Sequence, residues 1–371
     1  MIRRLAVLVG VALVFAAPAR AGAPPADATA WVVEDARTGD VLASKNLHER
    51  VPIASITKLM TVLLALEQHK LTDVVSVDPR AAAVGESTID LQAGEKLTVH
   101  DLVEGALIQS ANDAADALAL SVAPDYASFA RLMNDKAHAL GLRETHFVRP
   151  DGLDAAGEYS SAHDVTRLAR IVMHNAFVRQ TVRKETDTIA GGRTLHTWDD
   201  LLSLFPQTIG VKTGHTGEAG WCQVAAARGR GITVYATILG SPTRDVRNED
   251  LRSLLIWGLA QFRVVDAVQP SRTYAEVALP FGKRPVALVP AKPMQLTVRV
   301  GRPLTETVVA STSVALPVYA GTVLGTVEIR NGKKLLGKRD LVAARTVNKP
   351  SAMSRLGWYA GRTLHHIAHL F

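Results

Sequence analysis

The stretch from Pro52 to Leu66, P-I-A-S-I-T-K-L-M-T-V-L-L-A-L, places a serine and a lysine three residues apart at the start of an apolar helix. Positions i and i+3 of a helix are neighbours on its surface, so the Lys58 amine is within hydrogen-bond reach of the Ser55 hydroxyl. The residues that follow are apolar almost all round, which is typical of a helix in the middle of a domain. The sequence therefore predicts a buried helix that carries a Ser–Lys pair.

This pair predicts a nucleophile and its base. A hydroxyl is a poor nucleophile until a base removes its proton, and a lysine amine acts as that base only if burial or a second cation lowers its pKa. S-x-x-K alone is a weak signal, because a capping serine and a solvated lysine share this spacing. The prediction of an enzyme therefore depends on partners further along the chain.

Two further motifs supply such partners. Ser110-Ala111-Asn112 lies between two helical segments, and Lys212-Thr213-Gly214 ends a β-like run. The order S-x-x-K, S-x-N, K-T-G is the set found in penicillin-binding proteins and class A β-lactamases. The three motifs together predict one catalytic centre.

Each member of the set has a chemical task. We expect Lys212 to keep Lys58 neutral by its charge and to attract a substrate carboxylate. Ser110 and Asn112 are candidates for a proton relay and for holding Lys58 and the substrate amide. A peptide can lie against the strand edge at Gly214, which has no side chain. The backbone N–H groups of Ser55 and His215 are candidates for an oxyanion hole.

The N-terminus has the pattern of a secretory signal peptide. M-I-R-R is followed by an apolar run from Leu5 to Ala17 and by Ala19-Arg20-Ala21, an A-x-A cleavage pattern. The run is too short to span a membrane comfortably, so residues 1–21 are predicted to be removed on export. Cys222 is the only cysteine, so an intramolecular disulfide is excluded. This side chain is predicted to be a small residue of the core.

Charge divides the rest of the chain. Residues 22–263 carry 24 basic and 30 acidic side chains, whereas residues 264–371 carry 15 basic and 5 acidic ones. Such a basic segment suits nucleic acid or an anionic membrane, and export favours the membrane. We therefore expect no nucleic-acid partner.

Periodicity predicts an α/β domain over residues 22–263. A hairpin of strands 30–35 and 41–44 precedes a mostly helical region over 74–175, with helix caps at Thr98, Asp125 and Ser161. Short β-like runs follow at 209–212, 223–227 and 232–239, and a helix is predicted over 248–261. These elements predict an antiparallel sheet made from both ends of the domain, with helices and an inserted helical block.

Residues 264–349 and 350–371 have different patterns. Short runs separated by Pro, Gly and Asn turns, among them S-V-A-L-P-V at 313–318, predict a small antiparallel β sandwich. After Pro350, one arc of a helix is apolar and the other carries arginine and histidine, with no acidic residue. This amphipathic helix favours a membrane surface, although the same stripe would also suit docking on the protein itself.

The chain resembles the low-molecular-mass penicillin-binding proteins that act as serine-type D-alanyl-D-alanine carboxypeptidases. The resemblance is carried by A-S-I-T-K-L-M-T, Q-S-A-N-D-A, the P-D-G-L at Pro150, Y-S-S-A-H-D and V-K-T-G-H-T, and it covers nearly the whole mature chain. It implies a penicillin-binding, β-lactamase-like transpeptidase domain. It also implies that Ser55 forms the acyl-enzyme, with Lys58 as proton acceptor and Ser110 in the relay.

The resemblance also implies the substrate and its contacts. The family's K-T-G lysine corresponds to Lys212, and a carboxylate-binding arginine corresponds to Arg247, with Arg244 as an alternative. The implied reaction removes the terminal D-alanine of peptidoglycan stem pentapeptides, without a metal or cofactor, and β-lactams acylate the same serine. The family's Asn-bearing stretch before K-T-G is replaced in this chain by Thr197-Trp198-Asp199.

Three other functions compete with this hypothesis. A class A β-lactamase is disfavoured because the chain has no E-x-x-L-N element to activate the deacylating water. A DD-endopeptidase that cuts cross-links performs the same chemistry on a larger leaving group and stays open. An inactive wall-binding scaffold is disfavoured by the complete motif set. The expected location is the periplasm, peripherally anchored to the outer face of the cytoplasmic membrane.

Overall fold

The computed structural model of the chain describes residues 5–8, 12–13 and 22–368. It divides into an N-terminal unit, Ala21–Gln261, and a C-terminal unit, Phe262–Phe371 together with Met1–Arg20. Within the described ranges, no helix is both long enough and apolar enough to cross a bilayer. The predicted cleavage site at Ala19-Arg20-Ala21 lies outside the described residues.

The N-terminal unit contains both strands and helices, whereas the C-terminal unit is mostly strands. The strands are β1 (Leu5–Leu8), β2 (Ala12–Leu13), β3 (Ala30–Asp35), β4 (Val41–Lys45), β5 (Val74–Ser76), β6 (Lys96–Thr98), β7 (Thr186–Ile189), β8 (Arg193–His196), β9 (Thr208–Thr216), β10 (Gly220–Gly229), β11 (Ile232–Ser241), β12 (Phe262–Val268), β13 (Ala275–Val277), β14 (Val286–Pro290), β15 (Met294–Arg299), β16 (Leu304–Ser311), β17 (Val323–Asn331) and β18 (Lys334–Ala343). The helices are α1 (Lys58–Gln68), α2 (Pro79–Ala82), α3 (Val99–Leu107), α4 (Asn112–Val122), α5 (Tyr126–Ala139), α6 (Ala162–Val172), α7 (Ala176–Thr181), α8 (Leu201–Leu204), α9 (Arg244–Ala260) and α10 (Ala352–Ala368).

A five-stranded antiparallel sheet forms the base of the N-terminal unit, in the order β4-β3-β11-β10-β9. Its strands come from both ends of the unit, as predicted, and β9 lies at one edge. Helix α9 packs closely on this sheet, since a Cβ at Gly258 would lie 2.7 Å from a methyl carbon of Val33. Only glycine permits that separation.

A block of helices is inserted between β4 and β9, as predicted. Helix α1 packs against α3, α4, α5 and α6, and its apolar side chains share one core with those of the sheet. Each of the three predicted caps, Thr98, Asp125 and Ser161, accepts a hydrogen bond from the backbone N–H three residues later. These caps fix where α3, α5 and α6 begin, and therefore how the block meets the sheet.

One boundary of the N-terminal unit differs from the prediction. Helix α9 begins at Arg244, four residues before the predicted start at Asn248, because Thr243 caps it by accepting from the N–H of Val246. The added turn brings Arg244 and Arg247 onto the helix. Cys222 is fully buried, as predicted for a small core residue.

The C-terminal unit consists of antiparallel β structure. Strands β16, β17, β18, β14 and β13 form one sheet, in which β1 and β2 also pair with β16, and β12 pairs with β15 in a second. Side chains from both sheets, such as Val265 and Leu341, belong to one core, which is the predicted sandwich. The predicted strand over 313–318 is wrong. Ser313 and Val318 form only isolated bridges, and Pro317 has no N–H to donate to a ladder.

Helix α10 ends the described chain, and residues 369–371 of the predicted amphipathic segment lie outside it. The predicted apolar arc includes Met353, Leu356 and Tyr359, and these side chains are exposed, at 82%, 72% and 57%. Trp358 lies against Phe281 of the same unit, with ring centroids 5.6 Å apart. Met353 and Leu356 are therefore open to solvent, while the rings of Trp358 and Tyr359 both contact Phe281 of the same unit.

Candidate active site

Ser55 lies in a single 3-10 turn, Ala54–Thr57, that runs directly into α1. The sequence predicted the start of the α-helix at this point, so the structure replaces its first turn with a tighter one. Ala54 has φ of 49°, in the left-handed region that residues with a side chain rarely adopt. This turn directs the Ser55 hydroxyl toward Lys58, and the Lys58 Nζ lies 2.8 Å from Ser55 Oγ.

The Lys58 amine is fully buried and has three acceptors. It donates to Ser55 Oγ, to Asn112 Oδ1 at 2.7 Å and to the backbone oxygen of Asp151 at 2.6 Å. These acceptors satisfy the three donors of an ammonium group and fix its position. Asn112 is the first residue of α4, so the S-x-N motif reaches the S-x-x-K motif as predicted.

Ser110 occupies the bend between α3 and α4, with φ of 61°. Its Oγ accepts a hydrogen bond from Lys212 Nζ at 2.8 Å, and that amine also donates to the carbonyl oxygen of Thr213 at 2.9 Å. Lys212 is only 2% exposed. The structure thus places Lys212 behind Ser110, in contact with the hydroxyl rather than open to the pocket.

Both amines have lowered pKa values. Burial lowers the pKa of Lys58 to about 8, although the charges of Asp151 and Asp116 act in the opposite direction. Burial, followed by repulsion from Lys58, lowers the pKa of Lys212 well below its usual range. Burial, rather than the charge of Lys212, is therefore the main cause of the lowered Lys58 pKa, which corrects the sequence-based explanation.

Buried carboxyl groups behind Lys58 were not predicted as part of the site. Arg149 donates to both carboxylate oxygens of Asp151, and this bond and the charge of Lys58 hold the pKa of Asp151 below its usual value despite burial. Burial and the charge of Asp151 raise the pKa of Asp116 to about 7. The P-D-G-L run marked Asp151 in the sequence. It did not indicate that this residue contacts Lys58, which lies 93 positions earlier.

Glu158 supports the Ser55 turn from a second side. Its Oε1 accepts from the Thr57 hydroxyl at 2.7 Å, and its Oε2 accepts from the N–H groups of Val148 and Arg149 at 3.2 and 3.0 Å. Burial raises the pKa of Glu158 to about 7, against the effect of these hydrogen bonds. One carboxyl group thus connects the turn to the loop that carries Asp151.

A pocket of about 240 Å³ opens in front of Ser55. It brings together side chains from the three motifs and from the neighbouring loops. The lining residues are Ser55, Glu86, Ser87, Ser110, Asn112, Leu153, Trp198, Thr213, Gly214, His215, Trp221 and Arg247. Every predicted site residue therefore lines the pocket, except the two lysines, which contact Ser55 and Ser110 from behind.

Strand β9 forms one wall of this pocket as the edge of the five-stranded sheet. A Cβ at Gly214 would lie 3.0 Å from the Ser55 nitrogen and 2.9 Å from the Ile53 oxygen. Gly214 is thus needed for the close approach of the strand to the Ser55 turn, in addition to the predicted access for a peptide. His215, the next residue, is exposed and its ring lies 4.0 Å from that of Trp221.

Burial separates the two candidate arginines. Arg247 is 1% exposed and lies on the pocket wall, where it donates to Asn248 Oδ1 and contacts Asp200 Oδ2 at 3.4 Å. Arg244 makes a two-point contact with the same carboxylate and is not among the lining residues. The geometry therefore favours Arg247 as the arginine that faces a ligand.

We expect Glu158→Gln to change how stability depends on pH. The Glu158 carboxyl has a pKa of about 7 in the folded protein and near 4.5 in the unfolded chain. It therefore lowers the free energy of unfolding as the pH rises between these two values. The free energy of unfolding of Glu158→Gln, relative to the unaltered protein, should rise on the order of 2 kcal/mol from pH 5 to pH 8. Urea unfolding at each pH measures it, with Glu67→Gln as an exposed control. A difference that stays constant with pH contradicts the prediction.

Comparisons of the sequence with known proteins give matches over most of the chain. The sequence model of the D-alanyl-D-alanine carboxypeptidase family matches residues 17–243, and that of the penicillin-binding protein 5 C-terminal domain matches residues 262–349. A D-alanyl-D-alanine carboxypeptidase of Escherichia coli is 32% identical over 92% of this chain and 90% of its own.

Solved structures give the same result. A D-alanyl-D-alanine carboxypeptidase from Francisella tularensis has a TM-score of 0.65 at 25% identity, over 90% of this chain and 96% of that one. Penicillin binding protein 5 from Haemophilus influenzae also has a TM-score of 0.65, at 26% identity, over 89% of this chain and all of that one. The predicted fold and family are therefore confirmed, and the chain belongs to the D-alanyl-D-alanine carboxypeptidase family.

Proposed function

We propose that this chain, as a D-alanyl-D-alanine carboxypeptidase, removes the terminal D-alanine of peptidoglycan stem pentapeptides through an acyl-enzyme on Ser55. The observation that carries the proposal is the 2.8 Å contact between Ser55 Oγ and the buried Lys58 amine at the base of an open pocket. β-Lactams acylate the same oxygen. The relatives from Escherichia coli and Francisella tularensis carry this activity in their names, which supports the assignment.

In the first step, Lys58 accepts the Ser55 proton while Oγ attacks the carbonyl carbon of the penultimate D-alanine. A pKa of about 8 leaves part of the amine neutral near neutral pH and makes it a suitable base. The carbonyl oxygen becomes negative, and the backbone N–H groups of Ser55 and His215 are the candidate donors to it. Asn112 holds the amine in place during the transfer.

The second step breaks the bond to the terminal D-alanine. Its departing amine needs a proton, and Ser110, which lines the pocket, passes on to it the proton that Lys58 took from Ser55. Lys212 orients the Ser110 hydroxyl from behind. Water then attacks the ester, which releases the shortened peptide and restores Ser55 Oγ–H.

The substrate carboxylate is assigned to the wall formed by Thr213 and Arg247. Arg247 is buried and cationic, and its partner Asp200 is shared with Arg244. The peptide lies along the free edge of β9, where backbone N–H and C=O groups can pair with an added strand. This arrangement selects a peptide with a free carboxyl end.

Replacement of Ser55 tests the nucleophile. Ser55→Ala should abolish labelling by a fluorescent penicillin and release of D-alanine from a model pentapeptide, because no ester can form. Ser87→Ala, which alters another hydroxyl of the pocket, serves as the matched control and should retain labelling. Equal labelling of Ser55→Ala and the unaltered protein would remove Ser55 from its role.

Cleavage of a cross-linked dimer in preference to the pentapeptide would favour an endopeptidase.

The Lys58 pKa predicts the pH dependence of acylation. The amine is a base only when neutral, so the rate constant for penicillin acylation should rise about tenfold from pH 6 to pH 7. It should level off above a pH of about 8, the pKa of Lys58. Stopped-flow acylation at constant ionic strength measures this profile. A rate constant that does not change between pH 6 and pH 9 excludes Lys58 as the base.

We further propose that residues 1–21 are a signal peptide and that the exported protein binds the membrane surface through α10. The exposed stripe of Met353, Leu356 and Tyr359 supports the second part, as does the excess of basic side chains in residues 264–371. Trp358, an aromatic residue of the type found at membrane interfaces, lies beside this stripe. Such a helix would hold the enzyme at the outer face of the cytoplasmic membrane.

Removal of residues 351–371 tests this anchor. The mature chain should sediment with vesicles that contain anionic lipid, whereas the truncated chain should stay in the supernatant and keep its penicillin labelling. Leu356→Gln should weaken binding, since it removes an apolar side chain from the stripe, and Ser354→Gln on the same helix is its control. Equal sedimentation of the full and truncated chains excludes the anchor.

A further inference from the structure

Three potential metal ligands meet away from the pocket, in the N-terminal unit. His48 follows β4, Glu144 lies between α5 and α6, and His163 is in the first turn of α6. One ligand atom from each lies within 4.8 Å of the other two, and His48 Nδ1 is 3.6 Å from Glu144 Oε2. The two imidazole rings have centroids 5.1 Å apart. This spacing is close to what ligands of one ion require.

A buried carboxylate orients this cluster. Asp164 is 1% exposed, and its Oδ1 lies 3.0 Å from His163 Nδ1. Its Oδ2 accepts from the Glu144 N–H at 2.8 Å and from the Thr145 hydroxyl at 2.9 Å. Histidines that bind metals usually donate their other ring N–H to such a carboxylate, which fixes the ring and leaves Nε2 free to bind. Asp164 thus holds His163 and the Glu144 backbone in the arrangement that a metal needs.

We propose that His48, Glu144 and His163 form a binding site for a divalent transition-metal ion of the Zn²⁺ class. Two imidazole nitrogens and one carboxylate oxygen suit Zn²⁺, whereas Mg²⁺ and Ca²⁺ prefer sets of oxygen ligands. The three side chains leave a further position for water.

The ion would join three segments of the N-terminal unit. His163 already donates its backbone N–H to the Leu47 oxygen at 3.2 Å, and Val51 pairs with Ser160 three residues before His163. The segment that carries His48 continues directly into the Ser55 turn. A metal bound only by the folded arrangement therefore stabilises the native state of this region, without taking part in catalysis.

Zinc titration of the untagged mature protein, after treatment with a chelator, tests the proposal. The melting temperature should rise by about 5 °C at a Zn²⁺ concentration 100-fold above the dissociation constant. Isothermal titration calorimetry should find one site of this kind. His48→Ala and Glu144→Gln should each bind Zn²⁺ more than about tenfold more weakly than the unaltered protein. Removal of a ligand's hydrogen-bond partner costs roughly tenfold in affinity, and removal of the ligand itself should cost more.

A second histidine–carboxylate pair provides the matched control. His69 Nδ1 lies 3.7 Å from Asp73 Oδ2, and among the described residues this pair has no third potential metal ligand beside it, so His69→Ala should bind Zn²⁺ as the unaltered protein does. Penicillin labelling of all variants should persist, which separates this proposal from the assignment of Ser55. Equal Zn²⁺ affinity in His48→Ala, Glu144→Gln and the unaltered protein, or a melting temperature independent of Zn²⁺, would overturn the proposal.

Discussion

The burial of the Lys58 amine is the constraint on which the rest of the site depends. A buried amine is costly unless its hydrogens are bonded, and three acceptors from separate segments meet that need: Ser55, Asn112 and Asp151. The helix that carries Lys58, the start of α4 and the loop at Asp151 must therefore all be in place together. The lowered pKa and the position of the serine hydroxyl both follow from this one arrangement.

Unusual backbone conformations make that arrangement possible. Ala54 and Ser110, on either side of the pocket, both have positive φ. Gly152 also does, and a Cβ there would lie 2.2 Å from the Ala54 oxygen. Side chains at such points would strain the backbone or push the segments apart. The site is thus held by close contacts between backbones, which explains why small residues flank the chemical motifs.

The sequence predicted the parts of the site whose chemistry requires fixed residue types. Ser55, Lys58, Ser110 and Lys212 belong to short motifs, although Ser55 lies in a 3-10 turn rather than in the predicted α-helix. Asp116, Asp151 and Glu158 were missed because no motif assigns these carboxyl groups a chemical task, and only the fold brings them to the Ser55 region. The sequence also left Arg244 and Arg247 as alternatives, which only burial separates. The failed strand at 313–318 shows that an apolar alternation does not reveal whether a ladder partner exists.

The charge of the site is opposite to that of the chain segment around it. Residues 22–263 have an excess of acidic side chains, yet three buried basic groups, Lys58, Lys212 and Arg247, border the pocket. The nearby Asp199, whose pKa burial raises to about 6, stays mostly ionised near neutral pH and balances part of this charge. The pKa values of both lysines are lowered, so Arg247 carries most of the remaining positive charge, which supports the proposal that an anionic peptide end binds there.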